Sequence, residues 1–180
     1  MKGRKLEVYL GERFVGTMAQ TADRRVAFAY SEEWLDNGFA ISPFSLPVEQ
    51  KVFVPTSQTF SGLWGVFADS LPDAWGQLLV DRMLKARGIL SADMTQLERL
   101  AIVGDSGMGA LAYRPAWNIQ QDAAIGDLDE LSAQCHAILN HEDAGDLDEL
   151  FRMGGSSGGA RPKIMTDEWI IKFPESGEMK

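Results

Sequence analysis

The chain is poor in the residues that most often carry chemistry. Its 180 residues include one cysteine, Cys135, and two histidines, His136 and His141. A lone cysteine excludes an internal disulfide and fits a reducing compartment. Cys135 beside His136 has no second ligand pair, so no zinc-type spacing exists. Long apolar runs are missing too. The longest stretch without a charge, 52–68, carries Pro, Thr, Ser, Gln and Gly, unlike the roughly 20 apolar residues of a membrane span. Met1 to Glu7 has cations with no apolar stretch behind them, so a secretory signal is not expected. The expectation is a cytoplasmic protein with no membrane partner. Cations are in the minority, 17 against 26 acids, for a net charge of −9. Residues 121–154 alone hold one cation and nine acids. A surplus of this sign is repelled by phosphate backbones, so direct nucleic-acid binding is not expected. The acidic segment reads as a solvated helical face, with a surface for a basic partner as the alternative.

The remainder is ordinary globular composition, 45% apolar and 24% charged, and long enough for a real core. Leu6, Val8 and Leu10 alternate with Glu7 and Tyr9, Gly11-Glu12 makes a tight connection, and Phe14, Val15 and Met18 return: a hairpin. Val26, Phe28 and Tyr30 give a third strand. Ser31 caps one helical turn through Leu35. Pro43 and Pro47 bracket Phe44-Ser45-Leu46, which reads as an edge strand. The period then changes. Leu63, Val66 and Phe67 share a helical face up to Pro72. Trp75, Leu78, Leu79, Arg82, Met83 and Ala86 form a second helix stopped by Gly88. Met94, Leu97, Leu100 and Ala101 form a third, ending at Gly104, and 109–115 is a short strand stopped by proline. Gly-Asp-Leu-Asp-Glu-Leu occurs at 126–131 and again at 145–150. Asp127 and Asp146 then cap helices at 128–140 and 147–152, with no repeat architecture around them. A glycine- and serine-rich turn at 154–160 precedes strands at 162–166 and 169–174.

Several residues invite a chemical reading. Glycines next to serines can aim backbone N–H groups at an anion. The stretch is no Walker loop, because no Gly-Lys-Ser/Thr opens a helix after it. It is no dinucleotide fingerprint, because strands follow it. A glycine loop with a lysine, Lys172, on a nearby strand does match the protein-kinase layout, in which that lysine pairs the α- and β-phosphates. A flexible linker has the same composition, and the residues alone leave both readings open. Ser106 is not in a Gly-x-Ser-x-Gly elbow and reads as a turn. Asp69 and Asp73 flank a proline turn, where Asp73 reads as a helix cap rather than half of a carboxylate pair. Trp34, Trp64, Trp75, Trp117 and Trp169 read as core, since no basic residues interleave with them for base stacking.

Gly158-Gly159-Ala160-Arg161-Pro162-Lys163 and Trp169-Ile170-Ile171-Lys172-Phe173-Pro174 resemble the start of the kinase core of the HipA family, bacterial toxin kinases. Earlier pieces are similar in the same order: Val8-Tyr9-Leu10, Phe28-Ala29-Tyr30, Glu33-Trp34-Leu35, Phe67-Ala68-Asp69-Ser70-Leu71-Pro72-Asp73 and Gly104-Asp105-Ser106-Gly107-Met108-Gly109-Ala110-Leu111. The resemblance implies an ATP-phosphate loop formed by Ser157, Gly158, Gly159, Ala160, Arg161, Pro162 and Lys163, with Lys172 as the nucleotide lysine. It implies Ser156 as the serine modified by autophosphorylation, with Ser157 a second hydroxyl beside it. Gly155 stands where an apolar residue is frequent. A phosphate at Ser156 would repel the phosphates of ATP. In the complete family protein the resemblance further implies Mg²⁺, an aminoacyl-tRNA synthetase as substrate and a helix-turn-helix antitoxin as partner.

These readings add up to an α+β protein. A HipA-like N-terminal domain is expected over 1–115, an acidic helical connector over 116–153, and the loop and first strands of a kinase-like lobe over 154–180. No Asp-x-x-x-x-Asn catalytic loop occurs, so the chain is expected to carry half a nucleotide site, no catalytic residues, and no activity alone. The alternative is a free-standing module that binds and restrains a separate kinase subunit.

Overall fold

β1 (Lys5–Leu10) and β2 (Arg13–Gln20) form the hairpin, antiparallel and closed by Gly11-Glu12 between paired Leu10 and Arg13. The structure is a computed structural model that describes residues 5–107, 109–117, 128–140, 142, 147–154, 159–165 and 169–173. β3 (Val26–Tyr30) pairs with β2, and β4 (Leu111–Arg114) pairs with the free side of β1. The sheet order is β3-β2-β1-β4, antiparallel throughout. The expected alternation is present: Leu6 and Val8 are fully buried, with Glu7 facing out. The register slips by one residue where Tyr9 pairs with Phe14, so Val15 is the extra residue of a bulge. Its carbonyl accepts the N–H of Ser31 at 2.9 Å, which ties the end of β3 back to the hairpin.

Helices cover one face of this sheet. α1 (Glu32–Asn37) starts at Ser31, whose Oγ accepts the Trp34 N–H at 3.1 Å. α2 (Gly65–Ala68) is a single turn that buries Phe67. α4 (Gln96–Val103) opens with a capping box, in which Thr95 Oγ1 accepts the Glu98 N–H and Glu98 accepts the Thr95 N–H. The core joins Leu6, Val8, Met18, Phe28, Trp34, Phe67, Leu100 and Tyr113. Tyr113 donates its buried O–H to Ser70 Oγ at 2.7 Å, and Tyr30 donates to the Leu46 carbonyl at 2.6 Å. Burial raises the Tyr113 phenol above its ordinary range. Residues 43–45 form a turn closed by a bridge between Ser42 and Leu46, not the edge strand expected from the prolines. Buried Leu46 anchors that turn while Phe44 is fully exposed. The strand beside β3 is instead a single bridge, Phe28 to Phe53.

The chain divides into two compact units that do not follow chain order. The sheet unit holds residues 1–71 and 94–118. The second unit holds 72–93 and 119–180, and so contains α3 (Ala74–Ala86), α5 (Leu128–Leu139), α6 (Leu147–Gly154), β5 (Lys163–Met165) and β6 (Ile170–Lys172). There α3 packs on α6 and α6 on β5, and Leu79, Met83, Leu150 and Ile164 of these elements are buried, as are Leu131 and Ile138 of α5. Among the described residues no helix is long and apolar enough to cross a membrane. Asp127 and Asp146, expected as caps, lie outside the described residues.

Gly16 sets the tightest constraint in the sheet. A Cβ there would stand 2.2 Å from the Ala29 carbonyl oxygen and 2.9 Å from the Phe28 ring. Gly16→Ala should therefore lower unfolding free energy by about 2 kcal/mol, seen as a fall in denaturant midpoint. An unchanged midpoint would mean that β2 and β3 do not approach this closely. Tyr113→Phe leaves the Ser70 hydroxyl buried without its donor and should cost about 1–2 kcal/mol, measured in the same way.

Candidate anion-binding site

The end of α6, the glycine turn and the β5–β6 pair build one corner of the second unit. α6 ends at buried Gly154, where a Cβ would stand 2.2 Å from the Lys163 carbonyl and 3.1 Å from Trp75 Nε1. Glycine lets the helix terminus rest directly on the β5 backbone. Ser156, Ser157 and Gly158 of the expected phosphate loop, and the modification expected at Ser156, lie outside the described residues. Gly159, Ala160 and Arg161 are exposed, and Pro162 and Lys163 are buried.

Gly159 has φ +101, and a Cβ on it would stand 2.8 Å from Lys163 Nζ. Both the backbone conformation and the space call for glycine. The Lys163 side chain therefore runs back from β5 to the turn, and the residue is only 5% exposed. β5 and β6 are antiparallel, and Lys163 is the direct register partner of Lys172. Directly opposed residues share a face of the ladder, so both lysines lie on the same side. Met165 and Ile170 lie on that face as the next pair, and Ile164 and Ile171 on the other. Ile164 is fully buried, while Lys172 is exposed. Lys163 and Lys172, two of the four cations in the last 26 residues, are thus register partners, and Lys163 is the one turned towards Gly159.

Asp73 enters this corner from α3. It occupies the N-cap position, but its side chain makes no capping bond to the helix. Its Oδ2 accepts the backbone N–H of Gly159, and the Trp75 N–H donates to the Gly159 carbonyl at 3.3 Å. The capping role expected for Asp73 is thus corrected: the carboxylate serves the glycine turn instead. Nothing in the local sequence signals this, because Leu-Pro-Asp ahead of a helix reads as a cap. By donor chemistry the corner holds two ammonium groups on one ladder face and a backbone N–H of Gly159 that Asp73 occupies; the groups are of the kind a polyphosphate accepts from. Among the described residues no cluster of His, Cys, Asp and Glu could hold a metal ion.

The other residues singled out hold structural positions. Ser106 Oγ donates to the Val103 carbonyl at 2.8 Å in a turn. Trp34 and Trp75 are buried, but Trp169 is 69% exposed, a departure from its expected core role. Asp69 and Ser70 line an apolar cavity of about 370 Å³ in the sheet unit, with Leu10, Phe39, Ile41 and Val66. Residues 6–114 match the family model described as the HipA N-terminal domain. No curated protein matches the chain.

Cys135 offers no chemistry to this corner. It is fully buried on α5, and burial pushes its thiol up to about 12. The native protein at pH 8 should react with a disulfide reagent only as fast as it unfolds; rapid labelling would show that α5 opens. The neutral thiol is favoured in the folded state, so the unfolded chain releases this proton first as pH rises. This contribution to stability should therefore be complete below about pH 9 and decline as pH rises towards 12, as read from unfolding midpoints across that range and their loss in Cys135→Ala.

Proposed function

The chain belongs to the HipA N-terminal domain family, and on that premise we propose that it is the N-terminal portion of a HipA-like serine/threonine kinase toxin. In this reading residues 157–163 form the loop over the phosphates of ATP and Lys172 is the nucleotide lysine. The observation that supports it is the register of Lys163 opposite Lys172, with Gly159 against the Lys163 ammonium. That register puts both lysines on one face of the ladder, the face on which Gly159 meets the Lys163 side chain. When bound, ATP would supply the transferable phosphoryl group. The residues of this chain would orient and neutralise the phosphates, and the groups that act on a substrate hydroxyl would come from a kinase C-lobe.

The substrate and partners follow from the same proposal. The complete kinase phosphorylates an aminoacyl-tRNA synthetase and is held by a helix-turn-helix antitoxin. Ser156 is the residue whose modification expels the loop, since a phosphate there brings nearly two negative charges into the nucleotide's place. A second reading is a separate module that restrains a kinase subunit. It is favoured by the extent of the family match, residues 6–114, which stops ahead of the glycine turn. Tight association of this chain with a separately produced kinase lobe, without any gain in ATP affinity, would select that second reading.

Residues 1–180 should show no transfer of phosphate to themselves with Mg-ATP, followed by mass spectrometry; a phosphorylated product would overturn the half-site reading. Trp169, exposed and three positions before Lys172, is a built-in fluorescence reporter. Lys172→Ala should weaken Mg-ATP binding at least tenfold, about 1.4 kcal/mol, while Lys51→Ala on the sheet unit changes nothing. Equal affinity in Lys172→Ala would reduce Lys172 to a strand residue.

A further inference from the structure

Gly159 is held at both of its backbone polar groups. Its N–H goes to the Asp73 carboxylate and its carbonyl to the Trp75 N–H. The Lys163 ammonium lies against the same residue, so an anion beside that lysine could reach this N–H. A carboxylate and a phosphate are alike here, since both are anionic and accept hydrogen bonds without donating any. Asp73 thus stands where a phosphate oxygen would stand. Its other oxygen, Oδ1, is buried and has no hydrogen-bond partner. Burial without a partner costs a carboxylate part of its hydration, so this contact is held less firmly than a fully satisfied one.

We propose that Asp73 is an internal competitor for the phosphate loop: it clamps Gly159 by its N–H and yields that donor when a polyphosphate binds. The proposal rests on the reading of 157–163 as a phosphate loop, and it adds a regulating residue that lies outside the glycine-rich segment. Two consequences follow from the charge and the bond. The clamp keeps Gly159 ordered before any nucleotide arrives, and the Asp73 charge opposes the charge of the incoming phosphates. Asp73→Asn keeps an acceptor and removes the charge. Asp73→Ala removes both, and because the side chain makes no capping bond to α3, α3 keeps its own hydrogen bonds.

The test uses the whole 180-residue chain and two readouts. Amide exchange at Gly159 is followed without ligand in wild type, Asp73→Asn and Asp73→Ala. Mg-ATP and inorganic triphosphate are then titrated into each. Exchange at Gly159 should speed up about tenfold in Asp73→Ala, and both anions should bind about three- to tenfold tighter, with Asp73→Asn in between. If Asp73→Ala does not fold, Asp73→Asn carries both readouts. Unchanged exchange at Gly159 overturns the clamp. Faster exchange with unchanged or weaker anion binding overturns the competition. If no form, wild type included, binds either anion while exchange still speeds up, the nucleotide reading has failed and the clamp on the loop stands.

Discussion

Lys163 sits directly opposite Lys172 on a two-stranded antiparallel ladder, and the chemistry open to this chain depends on that pairing. Two ammonium groups across a ladder repel each other. Here one is buried and turned back towards Gly159, while the other is exposed to water. The two side chains thus share a ladder face but not an environment. Glycine at 159 is favoured by its φ of +101, a backbone conformation that other residues rarely adopt. Glycine at 154 is required for the same corner, because the end of α6 rests on the β5 backbone.

The sheet unit answers to a different constraint. Its strands approach so closely at Gly16 that the Ala29 carbonyl leaves no room for a methyl group. The bulge at Val15 frees a carbonyl for Ser31, and Ser31 in turn caps α1. One irregular residue in β2 thereby positions the first helix. Two phenols of this unit find partners, Tyr113 in Ser70 and Tyr30 in the Leu46 carbonyl, so that they can sit in the core without a large desolvation cost.

Much of this was legible in the residues. Alternation in 6–10 and 26–30 predicted strands, and Gly11-Glu12 their turn. Ser31 and Gly104 marked helix ends where they occur, while the capping box at Thr95 went unread. These signals are local: a period of two or of three to four, and a side chain that reaches a backbone group three residues away. The prolines at 43 and 47 misled because they suit a tight turn as well as an edge strand, and the burial of Leu46 decides between the two. Trp169 misled because its size alone suggested burial.

By itself the sequence determined the α+β class, most element positions and the family match over 6–114. Hydrophobic period and capping chemistry are properties of neighbouring residues, so they survive in a linear string. The tertiary structure alone decided that 72–93 groups with the C-terminal segments, that Lys163 faces Lys172, and that Asp73 serves Gly159 rather than its own helix. Those facts join residues up to 86 positions apart, and only packing brings such distant groups within a hydrogen bond of each other.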